Sequence, residues 1–192
     1  MGSRGDGDDR VYDSSVFDIE GFVAECQVAN AETEPTRAIR ELLDRTMSSP
    51  SSVADAMRPG EGGMSIIYSS PDLTVLNIVW PPGMVLLPHD HRMWAAIGVY
   101  CGREDNTFYV RDADDGATIV ESASKTIEEG GVSLLGSQAI HGVANPTKRL
   151  TAAIHVYGGD FVNEPRSQWG PGDLRERPYD LEYVLREFRG TT

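Results

Sequence analysis

The sequence has little cysteine, little histidine and no long apolar run. Its 192 residues hold two cysteines, Cys26 and Cys101, in neither a CxxC pair nor the even, closely spaced set of a disulfide framework. Two reduced thiols in a cytoplasmic setting are therefore the expected state. No apolar stretch approaches the roughly 18 residues that a spanning helix needs. The start, MGSRGDGDDR, is polar and acidic where a secretory signal carries an apolar centre. Positive charge is also scarce: 17 Lys and Arg against 30 Asp and Glu give a formal net charge of −13 at pH 7, and the basic residues are scattered. Such a surface repels phosphate backbones and anionic headgroups, so neither nucleic acid nor a membrane is an expected partner. Oligomeric state is left open between monomer and homo-oligomer.

What is present fits one domain with a sizeable core. Residues 1–12 read as a disordered acidic leader and 13–192 as a single domain, divided into a helical segment at 16–58, a β region at about 64–162 and a C-terminal extension at 163–192. SVFDIEGFVAECQVAN repeats apolar residues near the helical period from about Val16, and EPTRAIRELLDRTM does so at Ile39, Leu42 and Leu43, with Glu34 or Thr36 beside Pro35 as its start. SSPSSVADAM offers serine caps for a third helix. After RPGEGGM the chain turns to short β-rich segments, among them LTVLNIVW, MVLLPHDHRMWAAIGVYCG, NTFYVRD, AIHGVANP and LTAAIHVYGG, separated by Pro-Pro-Gly, Asp-Asp-Gly and Gly-Gly turns. Many short strands at regular spacing predict a jelly-roll barrel or sandwich, with the helices on one side. A short helix is expected from about Asp180 to Phe188. RDADDGA at 111–117 echoes the opening of a calcium loop but lacks its alternating ligands and closing glutamate, and reads as a hairpin turn.

Two of the four histidines, His89 and His91, stand two apart in PHDH. In a strand, residues i and i+2 share a face, so the two imidazoles lie side by side while Asp90 faces away. Taken alone, such a pair reads first as two exposed histidines. Context changes that. GMVLLPHDH precedes an apolar run ending at Gly102, and GGVSLLGSQAIHGVAN places His141 four residues before Asn145. In this order the two segments resemble the two cupin motifs, over roughly 64–162. The resemblance implies a mainly β, double-stranded β-helix barrel in which His89, His91 and His141 meet at a metal. Two departures stand out: Ala95 and Ala96 occupy the region of the usual cupin glutamate, leaving three neutral ligands, and Gly136 and Gln138 stand before His141 where proline and glycine are usual. Imidazole nitrogens suit iron, zinc, copper or nickel.

PHDHRMWAAIGVYCGREDNTFY, AIHGVAN, IHVYGGDF and PRSQW resemble one branch of the cupins, the thiol dioxygenases of the cysteine and 3-mercaptopropionate type. The resemblance implies an Fe(II)-dependent dioxygenase that adds both atoms of O2 to the sulfur of a small thiol carboxylate. It implies iron on His89, His91 and His141, an outer pair of His155 and Tyr157 for proton handling, and Arg166 on the substrate carboxylate. Taken without it, His155 and Tyr157 read equally as core residues and Arg166 as a solvated loop arginine. The position of the cysteine that joins the tyrosine in animal enzymes falls on Ala96, so Tyr157 is expected to be unmodified. The serine of the family's Ser-His-Tyr series is Ala153, and Thr151 is too far along the strand to replace it. Met84, Met93 and Trp94 are candidates for an apolar wall, and Cys101 for a small buried hydrophobe. The alternatives are a metal-dependent oxygenase of the same fold acting on a non-thiol chelating molecule, a zinc or nickel isomerase or hydrolase, and a non-catalytic small-molecule sensor.

Overall fold

Three helices open the described part of the chain, which in the computed structural model is residues 16–189; the leader expected over 1–12 lies outside it. Helix α1 (Ile19–Asn30) starts where the Asp18 carboxylate accepts from the backbone N–H groups of Glu20 and Gly21, two donors that the first turn cannot satisfy internally. The cap thus sets the start three residues beyond the periodicity's own estimate. Helix α2 (Pro35–Met47) follows Glu34, with Pro35 in its first turn, and buries Ile39, Leu42, Leu43 and Met47. In α3 (Pro50–Met57) the expected serine cap is not used: the Ser49 side chain makes no capping bond, and Pro50 supplies the start through its fixed φ.

The β region forms two antiparallel sheets. Strands β1 (Gly63–Ser69), β2 (Thr74–Trp80), β3 (Val85–Asp90), β4 (Ala95–Cys101), β5 (Arg103–Arg111), β6 (Ile119–Glu128), β7 (Val132–Leu135), β8 (Ile140–Ala144) and β9 (Thr151–Tyr157) are followed by β10 (Ser167–Trp169), β11 (Glu176–Pro178) and helix α4 (Leu181–Arg189). One sheet has the order β1-β2-β9-β4-β7 and the other β11-β10-β3-β8-β5-β6. From β2 to β10 the chain changes sheet at every connection except the β5–β6 hairpin, and this winding between two facing sheets is the double-stranded β-helix. RDADDGA is that hairpin's turn, held by Asp115 Oδ1 accepting from the N–H groups of Ala117 and Thr118.

MVLLPHDHRMWAAIGVYCG is not one buried strand but two in opposite sheets, broken after Asp90 by a turn in which Arg92 takes a φ of 57°. The C-terminal extension at 163–192 carries two strands before its helix: β10 and β11 belong to the six-stranded sheet, and Gln168 pairs with His89.

Strands β2, β4 and β9 are buried on both faces. Leu76, Ile78, Trp80, Ala95, Ile97, Val99 and Ala153 fill the barrel, while Val75, Val79, Ala96, Tyr100, Ala152, Ile154 and Val156 pack against α1, α2 and α3. Helices on the outside explain why these strands read as continuous apolar runs. Among the described residues no helix covers the six-stranded sheet in this way, and Val85, Val110 and Val120 are exposed on it.

Candidate metal centre

The centre begins with one extra residue in β3. Leu86 pairs with Val143 and His89 with His141, so three steps along β3 match two along β8. The surplus falls at Leu87 and Pro88, where Pro88 has no N–H to offer a ladder. Leu86 faces the barrel interior; strict alternation would then send His89 outward, and the bulge turns it in. Gly142 lies opposite, where a Cβ would come within 3.3 Å of the Leu86 carbonyl oxygen. His91 is one residue past the end of β3, on the turn rather than the strand. Asp90 points the other way, as expected, and accepts from the Ser167 N–H at 2.7 Å.

His89, His91 and His141 are all buried, and their candidate ligand atoms lie within 4.8 Å of one another. His91 Nε2 is 3.1 Å from His89 Nε2 and 3.4 Å from His141 Nε2. The far nitrogens are engaged: His89 Nδ1 is 3.0 Å from the Leu87 carbonyl oxygen and His141 Nδ1 2.7 Å from Asn106 Oδ1. Each of those Nδ1 atoms therefore donates a proton, which leaves Nε2 with a lone pair. Burial first, and for His91 and His141 the neighbouring histidines next, disfavours imidazolium: His89 is pushed down to about 4, and His91 and His141 fall well below the ordinary histidine range. Nitrogen ligands about 2.1 Å from one cation, at angles between octahedral and tetrahedral, lie roughly 3.0–3.4 Å apart. The three side chains fit a single metal ion, and among the described residues no Asp or Glu joins the cluster.

Behind the histidines runs a buried polar chain only partly foreseen in the sequence. Asn106 Nδ2 donates to Glu104 Oε1 at 2.9 Å, Trp80 Nε1 donates to Glu104 Oε2 at 3.0 Å, and the same oxygen is 3.6 Å from His155 Nε2. His155 Nδ1 is in turn 3.1 Å from the Tyr157 hydroxyl. Glu104 has no exposed surface. Sequence reasoning missed Glu104, Asn106 and Trp80; the available signal was the two-residue spacing of Glu104 and Asn106 on β5, which sends both side chains inward. Thr151 does not serve His155, since its hydroxyl donates to the Arg103 carbonyl and accepts from the Arg103 N–H. Tyr157 is held above the ordinary tyrosine range by burial, against the opposing pull of Arg166. Its partner on β4 is Ala95 in the barrel, not Ala96, which packs among the helices.

Arg166 lies beside the centre, behind two of its aromatic residues, and lines a neighbouring concavity with Pro165, Pro178 and Leu181. It is 8% exposed, its guanidinium carbon 4.0 Å from the centroid of the Phe161 ring and 4.2 Å from that of Tyr179. Those rings face His91 and His89, at 6.0 and 5.8 Å between centroids. Arg166 Nη1 donates to the Phe161 carbonyl oxygen, and Nε is buried without a partner. The cavity over the histidines is about 20 Å³, walled by Trp80, Phe161, Tyr179, Val184 and Phe188. The expected wall of Met84, Met93 and Trp94 is corrected: the two methionines are barrel core away from the cavity lining, and Trp94 packs with the helix-facing cluster. A larger concavity of about 360 Å³ between α1 and α2 is an open groove lined by no histidine.

Its structural neighbours are cupin double-stranded β-helix proteins. A cupin domain from Schizosaccharomyces pombe superposes with a TM-score of 0.42 at 10% identity, over 50% of this chain and 60% of that one. A double-stranded β-helix protein from Klebsiella pneumoniae gives 0.43 at 15% identity, over 57% and 80%. Oxalate decarboxylase from Bacillus subtilis, in a mutant form, gives 0.40 at 16% identity, over 53% of this chain and 26% of that one. The chain thus spans less than two thirds of the first and about a quarter of the third. No family model matches the chain. These likenesses concern the barrel and carry nothing about activity, which rests on the site.

Proposed function

We propose that the protein is an Fe(II)-dependent dioxygenase that oxidises the thiol of a small thiol carboxylate, of the 3-mercaptopropionate or cysteine type, to a sulfinate. The observation that carries this reading is a three-histidine face with no carboxylate in it, beside a buried arginine whose guanidinium is clamped between two rings of the same cavity. Balanced, the reaction is R–SH + O2 → R–SO2H: both oxygen atoms go to sulfur, which loses four electrons to O2. Iron, when bound, supplies the coordination that acidifies the thiol and the redox chemistry with oxygen.

The chain's own residues do the rest. His89, His91 and His141 bind the metal through Nε2 and add no negative charge, so the centre keeps its attraction for an anionic ligand. Arg166 pairs with the carboxylate and fixes which way the thiol points. His155 and Tyr157 form a proton relay at the cavity wall, where the phenol stays protonated because burial opposes the phenolate. Phe161, Tyr179 and Phe188 exclude water. Ala153 supports a second reading, an oxygenase of the same barrel acting on a non-thiol chelating anion, because it lacks the hydroxyl of the thiol enzymes.

Oxygen consumption by iron-loaded protein with 3-mercaptopropionate, cysteine, cysteamine and a diketone tests both. The thiol carboxylates should stimulate uptake and yield sulfinate; uptake with the diketone alone favours the second reading, and no thiol-stimulated uptake overturns the first. Arg166→Met should raise KM for 3-mercaptopropionate about 10–100-fold, the loss of one charge-assisted contact, and leave cysteamine unaffected.

A further inference from the structure

Glu104 is a fully buried carboxylate at the middle of the polar chain behind the histidines. It receives a donor on each oxygen: Asn106 Nδ2 on Oε1 and Trp80 Nε1 on Oε2. Each contact leads toward a different histidine. Asn106 turns its amide nitrogen to Glu104, which forces its Oδ1 toward His141 Nδ1 at 2.7 Å, an acceptor that this nitrogen meets by donating. On the other side Oε2 stands 3.6 Å from His155 Nε2, a nitrogen that is buried and has no hydrogen-bond partner. A ring nitrogen facing a carboxylate in a dry interior favours carrying the proton. His155 Nδ1 is then left to the Tyr157 hydroxyl.

We infer that Glu104 is a positioning residue that sets which ring nitrogen is the donor in two histidines at once: through Asn106 it holds His141 as the Nδ1–H tautomer, with Nε2 free for a metal, and it holds His155 as the Nε2–H tautomer, so that Nδ1 works with Tyr157. One carboxylate thereby ties the metal face to the proton relay, and it does on this chain what Ala153 cannot. The shared carboxylate also explains why a costly buried anion sits in the barrel wall: it is satisfied by neutral donors on both oxygens and faces an imidazole, not solvent. The inference rests on the three histidines and the His155–Tyr157 pair acting as one centre, whichever substrate that centre takes.

Glu104→Gln makes the test sharp, because an amide has one acceptor where the carboxylate has two. If its NH2 faces Trp80 and His155, it presents a donor to His155 Nε2 and drives that proton to Nδ1. If it faces Asn106, the Asn106 amide turns over and presents NH2 to His141, whose Nδ1 loses its acceptor. Nitrogen-15 NMR of the histidine rings in the metal-free full chain reads both, since zinc on Nε2 would by itself force the Nδ1–H form of His141. In the unmodified protein His155 Nε2 and His141 Nδ1 should both be protonated; an unprotonated His155 Nε2 there overturns the inference without any variant. In Glu104→Gln, folded by circular dichroism, one of the two histidines should change form, and a change at His141 should lower Zn(II) affinity about 10–100-fold by chelator competition. Both histidines and the affinity unchanged in the folded variant would also overturn it. None of these readouts involves thiol oxidation, so a failure of oxygen uptake removes the proposed reaction and leaves this test standing.

Discussion

At the scale of single residues, the chain shows how neighbours decide a charge. Glu176 and Arg111 illustrate it away from the centre: the guanidinium binds both carboxylate oxygens, at 2.6 and 3.1 Å, while Ser167 Oγ donates to one of them. Those donors, Arg111 first, hold Glu176 down to about 2. Since the folded value lies below the unfolded one, the contribution to stability is fully present above the ordinary glutamate range and fades as pH falls toward 2. Arg111→Ala should move the Glu176 carboxyl titration up toward 4.5, read by carbon-detected NMR; a titration that stays near 2 would show that the arginine is not the cause. His89, His91 and His141 were legible in the sequence through their spacing and motif order, although the strand geometry used to pair the first two does not hold, since His91 stands on the turn after β3 and a bulge turns His89 inward. Glu104 and Asn106 were not, because GREDN has the composition of a solvated turn, and only the pairing of β5 with β8 shows that Asn106 lies near His141.

At the scale of elements, helices were easier to read than strands. Ile39, Leu42 and Leu43 repeat with the turn of a helix whose other face meets water, so their period survives in the sequence. In β2, β4 and β9 both faces are buried, and alternation vanishes. The β3 bulge was illegible for a further reason: an extra residue in one strand is defined only against its partner's register, which a single sequence does not carry. The end of β9 adds a packing constraint of its own. A Cβ on Gly158 would lie 2.0 Å from the Trp94 indole, so the ring occupies the space a side chain would need. Gly158→Ala should cost about 1–3 kcal/mol in urea unfolding through this overpacking. A change within a few tenths of a kcal/mol would show that the indole moves aside freely.

At the scale of the whole molecule, a metal that binds the folded chain and not the unfolded one must stabilise all of it. Added Fe(II) or Zn(II) at a hundredfold excess over Kd should raise Tm by about 5–10 °C for a chain of this size. Chelation should reverse the rise, and His141→Ala should abolish it. A Tm insensitive to every metal tried would argue against the three histidines as ligands. No described helix is long and apolar enough to cross a membrane. The helical layer and the barrel share β2, β4 and β9, so strain on one side of those strands is felt on the other.

The space above the histidines measures about 20 Å³, enough for the centre of one water and little else. A ligand larger than one water reaches the three histidines only when a side chain of this wall, such as Tyr179, Val184 or Phe188, draws back. Such a ligand must displace side chains packed in the wall, and its binding is weakened by that cost. Val184 and Phe188 of α4, remote in sequence from every histidine, therefore bear on what can reach them.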